Sequence, residues 1–329
     1  LVRAADAAAG HARILDALQR HGIEPAPGWA ERLEPVVGDL AAPGLGLDPA
    51  EWRRLAETVD SIYHLAASVN VLLDYPSHGR TNVAPLVEVV RLAAEHHPKP
   101  LFHASPMAVC RRRVEGRLEV LPEERVHADP AGLLTGYARS KWAAEQVLLA
   151  AAARGLPVTI YRTSHALPSA RTGRAKPGDT FASVLRAARA AGVVPEWADS
   201  AFHGVPVDVL GRLVVEDSLG VGRHPGVVHV ENRDPLTLPA LLEALLGGDA
   251  PRVPLEEWKA RCLEAASALP DEDATLVRVL FADRADGAAV ENMFGRHPLQ
   301  TDDFDRRGRG SALADLTPAA YWRRVQGAI

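Results

Sequence analysis

Two residues carry the clearest chemical signal in the chain. Tyr137 and Lys141 lie four apart in the segment Tyr-Ala-Arg-Ser-Lys. On a helix that spacing places both side chains on one face, so a phenol and an ammonium can approach a common point. A phenol ordinarily titrates near 10 and is a poor acid–base group at neutral pH. A neighbouring cation favours the phenolate and draws the phenol toward the working range. Five tyrosines and four lysines in 329 residues leave room for a chance pair. The setting adds weight, because the pair opens a helix that follows a strand–helix–strand series at the expected interval.

Other candidate chemistry is thinner. Cys110 and Cys262 are the only cysteines, which excludes a disulfide framework or a cysteine-rich metal site. No His, Asp and Glu grouping has a recognised metal spacing. His64 and His103 fall on expected strands and read as core or near-site residues rather than ligands. The run Arg111–Arg113 reads as a solvated loop, with an acidic partner protein as the sharper alternative. The charged stretch Thr301–Gly310 reads as a surface loop.

Short apolar runs alternate with longer helical stretches, the pattern of an α/β chain with a parallel sheet covered on both faces. Expected strands are Glu34–Leu40, Val59–Ala67, Pro100–Ser105, Pro157–Thr163 and Gly226–Glu231, with Leu1–Arg3 as the tail of another. Expected helices are Ala4–His21, Pro49–Thr58, Thr81–His96 and Tyr137–Arg154. After Thr163 the pattern changes: Ser169–Asp179 is polar and rich in Gly and Pro, Thr180–Ala191 is helical, and from Leu236 the chain is mainly helical without clear strands. This gives a nucleotide-type domain over 1–165, with 205–232 returning to the sheet. A smaller, mainly helical substrate lobe is expected from 166–204 and 233–329.

The net charge is -5, so there is no electrostatic footprint for nucleic acid or an anionic membrane surface. No apolar run approaches the roughly 20 residues of a membrane helix. A cytoplasmic enzyme is the default expectation.

The motifs resemble those of a known family. Tyr137 and Lys141 are similar to the catalytic pair of short-chain dehydrogenases. The run Gly38-Asp39-Leu40, Leu45-Gly46-Leu47, Trp52, Leu55-Ala56, Val59-Asp60 and Ile62 through Asn70 resembles the thioester reductase domains of nonribosomal peptide synthetases and polyketide synthases. Tyr75, Asn82-Val83, Gly136-Tyr137, Ser140-Lys141-Trp142 and Arg154 through Pro157 continue it. The likeness runs from Leu1 to about Asn232. It implies an extended short-chain dehydrogenase fold, a Rossmann-like doubly wound parallel sheet, and NADPH-dependent reductive release of a carrier-protein-bound peptidyl or polyketidyl thioester as aldehyde or alcohol. Tyr137 would protonate the developing alkoxide and Lys141 would assist and bind the nicotinamide ribose, with Ser105 as the candidate hydroxyl for the substrate carbonyl. Asp39 and Leu40 would border the adenine, and Ala66 and Ala67 the phosphate and ribose. Asn82 would fix the strand-to-helix connection near the cofactor. Arg3, with Arg13 as a weaker second candidate, would take the adenosine 2′-phosphate and favour NADPH.

Four positions depart from the family pattern. The glycine-rich phosphate loop is not found, and the family would place it ahead of Leu1, as if the first strand–helix unit were missing from this chain. Pro106 stands where a carbonyl-orienting Thr is usual, Pro85 where Gly is usual, and Thr163 where Pro follows Arg162. The missing loop and Pro106 motivate one alternative, a redox-inactive domain that releases its product by non-reductive condensation. A cofactor-sensing or scaffold module and another extended dehydrogenase, such as a fatty acyl reductase, are the remaining alternatives.

Overall fold

The computed structural model describes residues 1–70, 73–115, 117–122, 126–176, 178–201, 203–220, 226–232 and 236–282, together with Phe294, Tyr321 and Val325. The expected loop Thr301–Gly310 lies outside them. The chain divides into two compact units. The first holds Leu1–Thr163 and Glu216–Val230; the second holds Ser164–Val215 and the described residues from Glu231 onward. The helix Val207–Leu219 starts in the second unit and ends in the first, so the segment returning to the first unit begins at Glu216 rather than at 205.

The first unit is built on four parallel strands: β1 (Ile62–His64), β2 (Leu101–Pro106), β3 (Val158–Thr163) and β4 (Gly226–Val230), adjacent in that order. β1, β3 and β4 fall within expected strands, and β2 matches its own except that it runs one residue further, to Pro106. β2 and β3 are almost wholly buried, as strands covered on both faces must be. The register aligns His64 with His103, Ser105 with Arg162, and Arg162 with His229. Polar residues therefore form rows across the sheet.

Helices α1 (Ala7–Arg20), α2 (Pro49–Thr58), α3 (Ala84–Ala94) and α4 (Gly136–Ala152) belong to this unit. Their starts follow local chemistry. Asp6, Asp48 and Thr135 each cap a helix by accepting a backbone N–H, and Pro49 takes the first position of α2, where no N–H is needed. Trp52 and Ala56 of α2, Leu86, Val89 and Ala93 of α3, and Ala144 and Leu148 of α4 pack on Leu101, Val158 and Ile160 of the sheet. The expected helix Thr81–His96 differs from the structure. One turn of helix at Tyr75–His78 runs into a π-helical turn, Gly79–Val83, before α3 begins.

Two further expectations change in this unit. Glu34–Leu40 forms no full strand: only Val37 bridges Val2, through Val2 N to Val36 O at 2.8 Å and Gly38 N to Val2 O at 3.1 Å. Among the described residues, this bridge stands outside the four-stranded sheet. Arg111–Arg113 is not a solvated loop. It lies in the strand Arg111–Val114, which pairs antiparallel with Arg117–Val120. Arg111 is 8% exposed, and Arg112 pairs with Glu119 at 3.0 Å.

In the second unit, α5 (Thr180–Ala191) starts on the Asp179 cap as the sequence suggests. It packs with the helices Leu255–Ala265 and Asp271–Phe281, and Ser183 and Arg186 both bond the Asp273 carboxylate. Strands are present here too. Val194–Glu196 pairs with Arg252–Pro254, and Ala166–Leu167 with Val205–Pro206. The first pair corrects the expectation of no strand beyond Leu236; three residues are too short for an alternating pattern to stand out. No described helix is long and apolar enough to cross a membrane.

Candidate active site

The N-terminus of α4 is fixed before its side chains are considered. Gly136 lies so close to the Leu73–Tyr75 backbone that a Cβ there would sit 2.4 Å from Leu73 O and 2.8 Å from Tyr75 N. Thr135 Oγ1 accepts the Ala138 N–H at 3.0 Å, and Ser140 Oγ donates to Tyr137 O at 2.7 Å. Asn82, on the π-helical turn and 2% exposed, ties three segments together. Its Oδ1 accepts the Ser68 N–H at 2.8 Å, and its Nδ2 donates to Ser68 O and to Ser140 Oγ, both at 3.1 Å. The loop after β1, the turn before α3 and the start of α4 thus share one amide. A π-helical turn widens the backbone by one residue and is frequent at functional sites.

Tyr137 follows Gly136 at this fixed start. Its ring meets His78 edge-on, with centroids 5.7 Å apart. Burial pushes its phenol up to about 12. Lys141, 2% exposed, is one turn along the same helix. Its Nζ donates to His103 Nε2 and to Ala104 O, both at 2.8 Å. Burial draws this ammonium down to about 8, against the opposing pull of Glu145. The sequence expectation that Lys141 lowers the Tyr137 phenol is therefore not met in this arrangement. Desolvation governs the tyrosine, and the ammonium is engaged by β2.

Behind Lys141 the polar rows continue. His103 Nδ1 faces His64 Nδ1 at 3.0 Å. Burial lowers His64 to about 4 and takes His103 well below its ordinary value, with the Lys141 charge adding to both. One turn further along α4, Glu145 is fully buried and paired with Arg162 at 2.7 Å. Ser105 Oγ donates to Glu145 Oε1 at 2.5 Å, and Arg162 Nη1 lies 3.2 Å from His229 Nε2. Ser105 is brought to the site but its proton is already committed. Pro106 is the last residue of β2.

The residues expected on the nucleotide side are less tightly held. Arg3 is exposed, and its carbonyl accepts from Arg13 Nη1 at 2.8 Å. Asp39 Oδ1 accepts the Ala41 N–H at 2.9 Å, and Leu40 is half-buried beside it. Ala66 and Ala67 are exposed on the loop after β1, next to Leu65 at 60% and Val69 at 55%.

The chain has relatives among known proteins. Residues 1–214 match a family of NAD-binding proteins described as male sterility protein. The chain belongs to this family. It is 33% identical over 279 residues to the isonitrile lipopeptide synthase of Streptomyces coeruleorubidus, covering 84% of this chain and 18% of the synthase. It is 31% identical over 285 residues to one component of the linear gramicidin synthase of Brevibacillus parabrevis, covering 82% of this chain and 6% of that component. The chain thus spans a small part of the curated relatives it matches. Among solved structures, the terminal R domain of the myxalamid PKS-NRPS pathway superposes with a TM-score of 0.81 at 27% identity, covering 99% of this chain and 81% of that one. Within its family, the chain is a reductase (R) domain of the thioester reductase type, an oxidoreductase.

The residues expected on the nucleotide side fit the family's NAD-type cofactor. Ala66 and Ala67 present no bulky side chain, Leu65 and Val69 leave apolar surface open beside them, and His64 Nε2 is buried without a partner at the start of that loop. What the motif reading missed in the reductase domain is the set of groups that contact Lys141 and Glu145. His103 and Arg162 lie 38 residues before and 17 residues after these partners, so no local spacing links them. The signal available was the rarity of histidine and arginine in otherwise apolar buried strands.

Proposed function

We propose that this reductase domain uses NADPH to release an acyl or peptidyl thioester, held on the phosphopantetheine arm of a carrier protein, as an aldehyde or alcohol. The observation that carries this reading is the burial of the Lys141 ammonium one helical turn from Tyr137. Bound NADPH supplies the hydride for the thioester carbonyl. The chain's own groups handle the charge that results. With its phenol raised to about 12, Tyr137 stays protonated at neutral pH, and it serves as a proton donor rather than a base. A developing alkoxide is basic enough to take that proton, and the resulting hemithioacetal then breaks its C–S bond to give the aldehyde and the free thiol of the carrier arm, a second hydride and proton being needed for the alcohol. Lys141, retaining its charge up to about pH 8, stabilises the phenolate left behind. Asn82 and Gly136 keep Tyr137 in place while this occurs. Multi-enzyme synthases among the relatives support a carrier-bound substrate, and the exposed Arg3 guanidinium supports a 2′-phosphate contact.

The test is single-turnover release from a loaded carrier protein, with and without NADPH, read by mass. Tyr137→Phe and Lys141→Met should each lower aldehyde formation by about 10²–10⁴-fold. Their combination should be far from additive, because the two residues act as a unit. Full-rate release of a cyclised product or acid without NADPH would refute the reductive reading. For the cofactor, NADPH should bind roughly one to two decades more tightly than NADH, and Arg3→Ala should remove most of that difference. Equal titration curves for the two cofactors in the unmodified domain would reject the Arg3 assignment.

A further inference from the structure

We propose that His103 and His64 are positioning residues that hold the Lys141 ammonium in its charged, aimed state, His103 by accepting a hydrogen bond from it and His64 by dictating which nitrogen of His103 can accept. This rests on the reading that Lys141 serves Tyr137, and extends it to two strands that carry no group of the catalytic pair.

Counting protons fixes the tautomers. An ammonium has donors and no acceptor. His103 Nε2, 2.8 Å from Lys141 Nζ, must therefore be unprotonated, and the His103 proton sits on Nδ1. That nitrogen faces His64 Nδ1 at 3.0 Å, so His64 must accept there and carry its own proton on Nε2. The two rings are nearly parallel, 9° apart, which keeps the facing nitrogens aligned. A proton on His64 Nδ1 would set two N–H groups against each other and drive His103 to the tautomer that cannot accept from Lys141. Burial keeps both imidazoles neutral at working pH, so the chain holds one tautomer set. The other ionisable groups around Lys141 are Tyr137 and Glu145 on its own helix, Arg162 of β3 paired with Glu145, and His78 against Tyr137. Glu145 is held by Arg162 and Ser105, which leaves His103 and the Ala104 carbonyl as the acceptors on Lys141.

The four lysines make the test direct. Protein grown with lysine labelled at Cε gives signals for Lys99, Lys141, Lys176 and Lys259, and the one missing in Lys141→Met is assigned. In the full chain, His103→Leu should move the Lys141 midpoint down by about one pH unit, because an acceptor for the charged form is lost. His103→Gln, whose amide oxygen accepts and whose amide nitrogen can donate to His64, should restore the wild-type midpoint. His64→Leu should lower the midpoint in part, by freeing His103 to take its other tautomer. The alkaline limb of the kcat profile should move with the midpoint in each variant. An unmoved midpoint in both leucine variants, with native circular dichroism, overturns the proposal. If His103→Leu does not fold, the contrast between His103→Gln and His64→Leu decides in the same way. A midpoint that moves while the kcat profile does not sustains the positioning of Lys141 and instead refutes its role in the reaction.

Discussion

Ser105 and Pro106 are neighbours at the end of β2, and they divide what the family pattern assigns to one hydroxyl. The Ser105 proton is spent on the Glu145 carboxylate, inside a buried ion pair. Ser105→Ala therefore removes a hydrogen bond to a charged group and should cost about 1.5–3 kcal/mol of stability, measured by urea denaturation. Its effect on turnover should follow the loss of fold. Pro106, lacking a hydroxyl, offers nothing to orient a carbonyl. Pro106→Thr should raise NADPH oxidation with a model acyl thioester by up to about 10²-fold. A folded Pro106→Thr protein with unchanged turnover would mean another group already orients the carbonyl.

At the scale of elements, the critical contact is between the start of α4 and the segment Leu73–Tyr75. Gly136→Ala must push these apart, since the added carbon would lie well inside contact distance of three backbone atoms. A destabilisation of about 1–3 kcal/mol is expected. Turnover should fall by more than thermal loss explains, because the displaced turn carries Tyr137. Thermal melting and steady-state assays of the same preparation separate the two effects. The elements themselves were largely legible in the sequence. The central strands are continuous apolar runs, as in a parallel sheet, and α4 shows the Tyr137–Lys141 spacing. The π-helical turn at Gly79–Val83 was not legible, because its extra residue fits no single period. The hairpin of Arg111–Val114 with Arg117–Val120 was masked by three consecutive arginines, which read as solvated although Arg111 is buried. The Tyr137 and Lys141 positions were legible; the groups that contact Lys141, the His103 ring and the Ala104 carbonyl, lie on β2 and become visible only in the fold.

Across the whole molecule, the buried lysine leaves a signature in stability. Lys141 titrates at about 8 in the folded state, below its ordinary value of 10.5 in an unfolded chain. Between those values the unfolded chain binds more protons, so this group makes stability rise with pH over that window. Below it, the burial penalty on the charge is fully present. Lys141→Met lacks the group, so wild type should gain on the variant as pH is raised from about 8 to 10.5. Denaturation at pH 7, 8.5 and 10 checks this, and a constant gap between the two proteins would contradict it. The polar rows of the sheet also bear on how the chain finds its fold. His103 and Ser105 meet Lys141 and Glu145, whereas the alternating Phe102 and Ala104 lie on the opposite side of β2. If β2 docked one residue out of step, an ammonium and a carboxylate would be stranded against hydrocarbon, at a cost of several kcal/mol for each. An apolar core accepts such slippage far more cheaply. The residues that equip this domain for chemistry thus also guard it against mis-assembly, so that variants with His103 and Ser105 made apolar should populate kinetic traps during refolding.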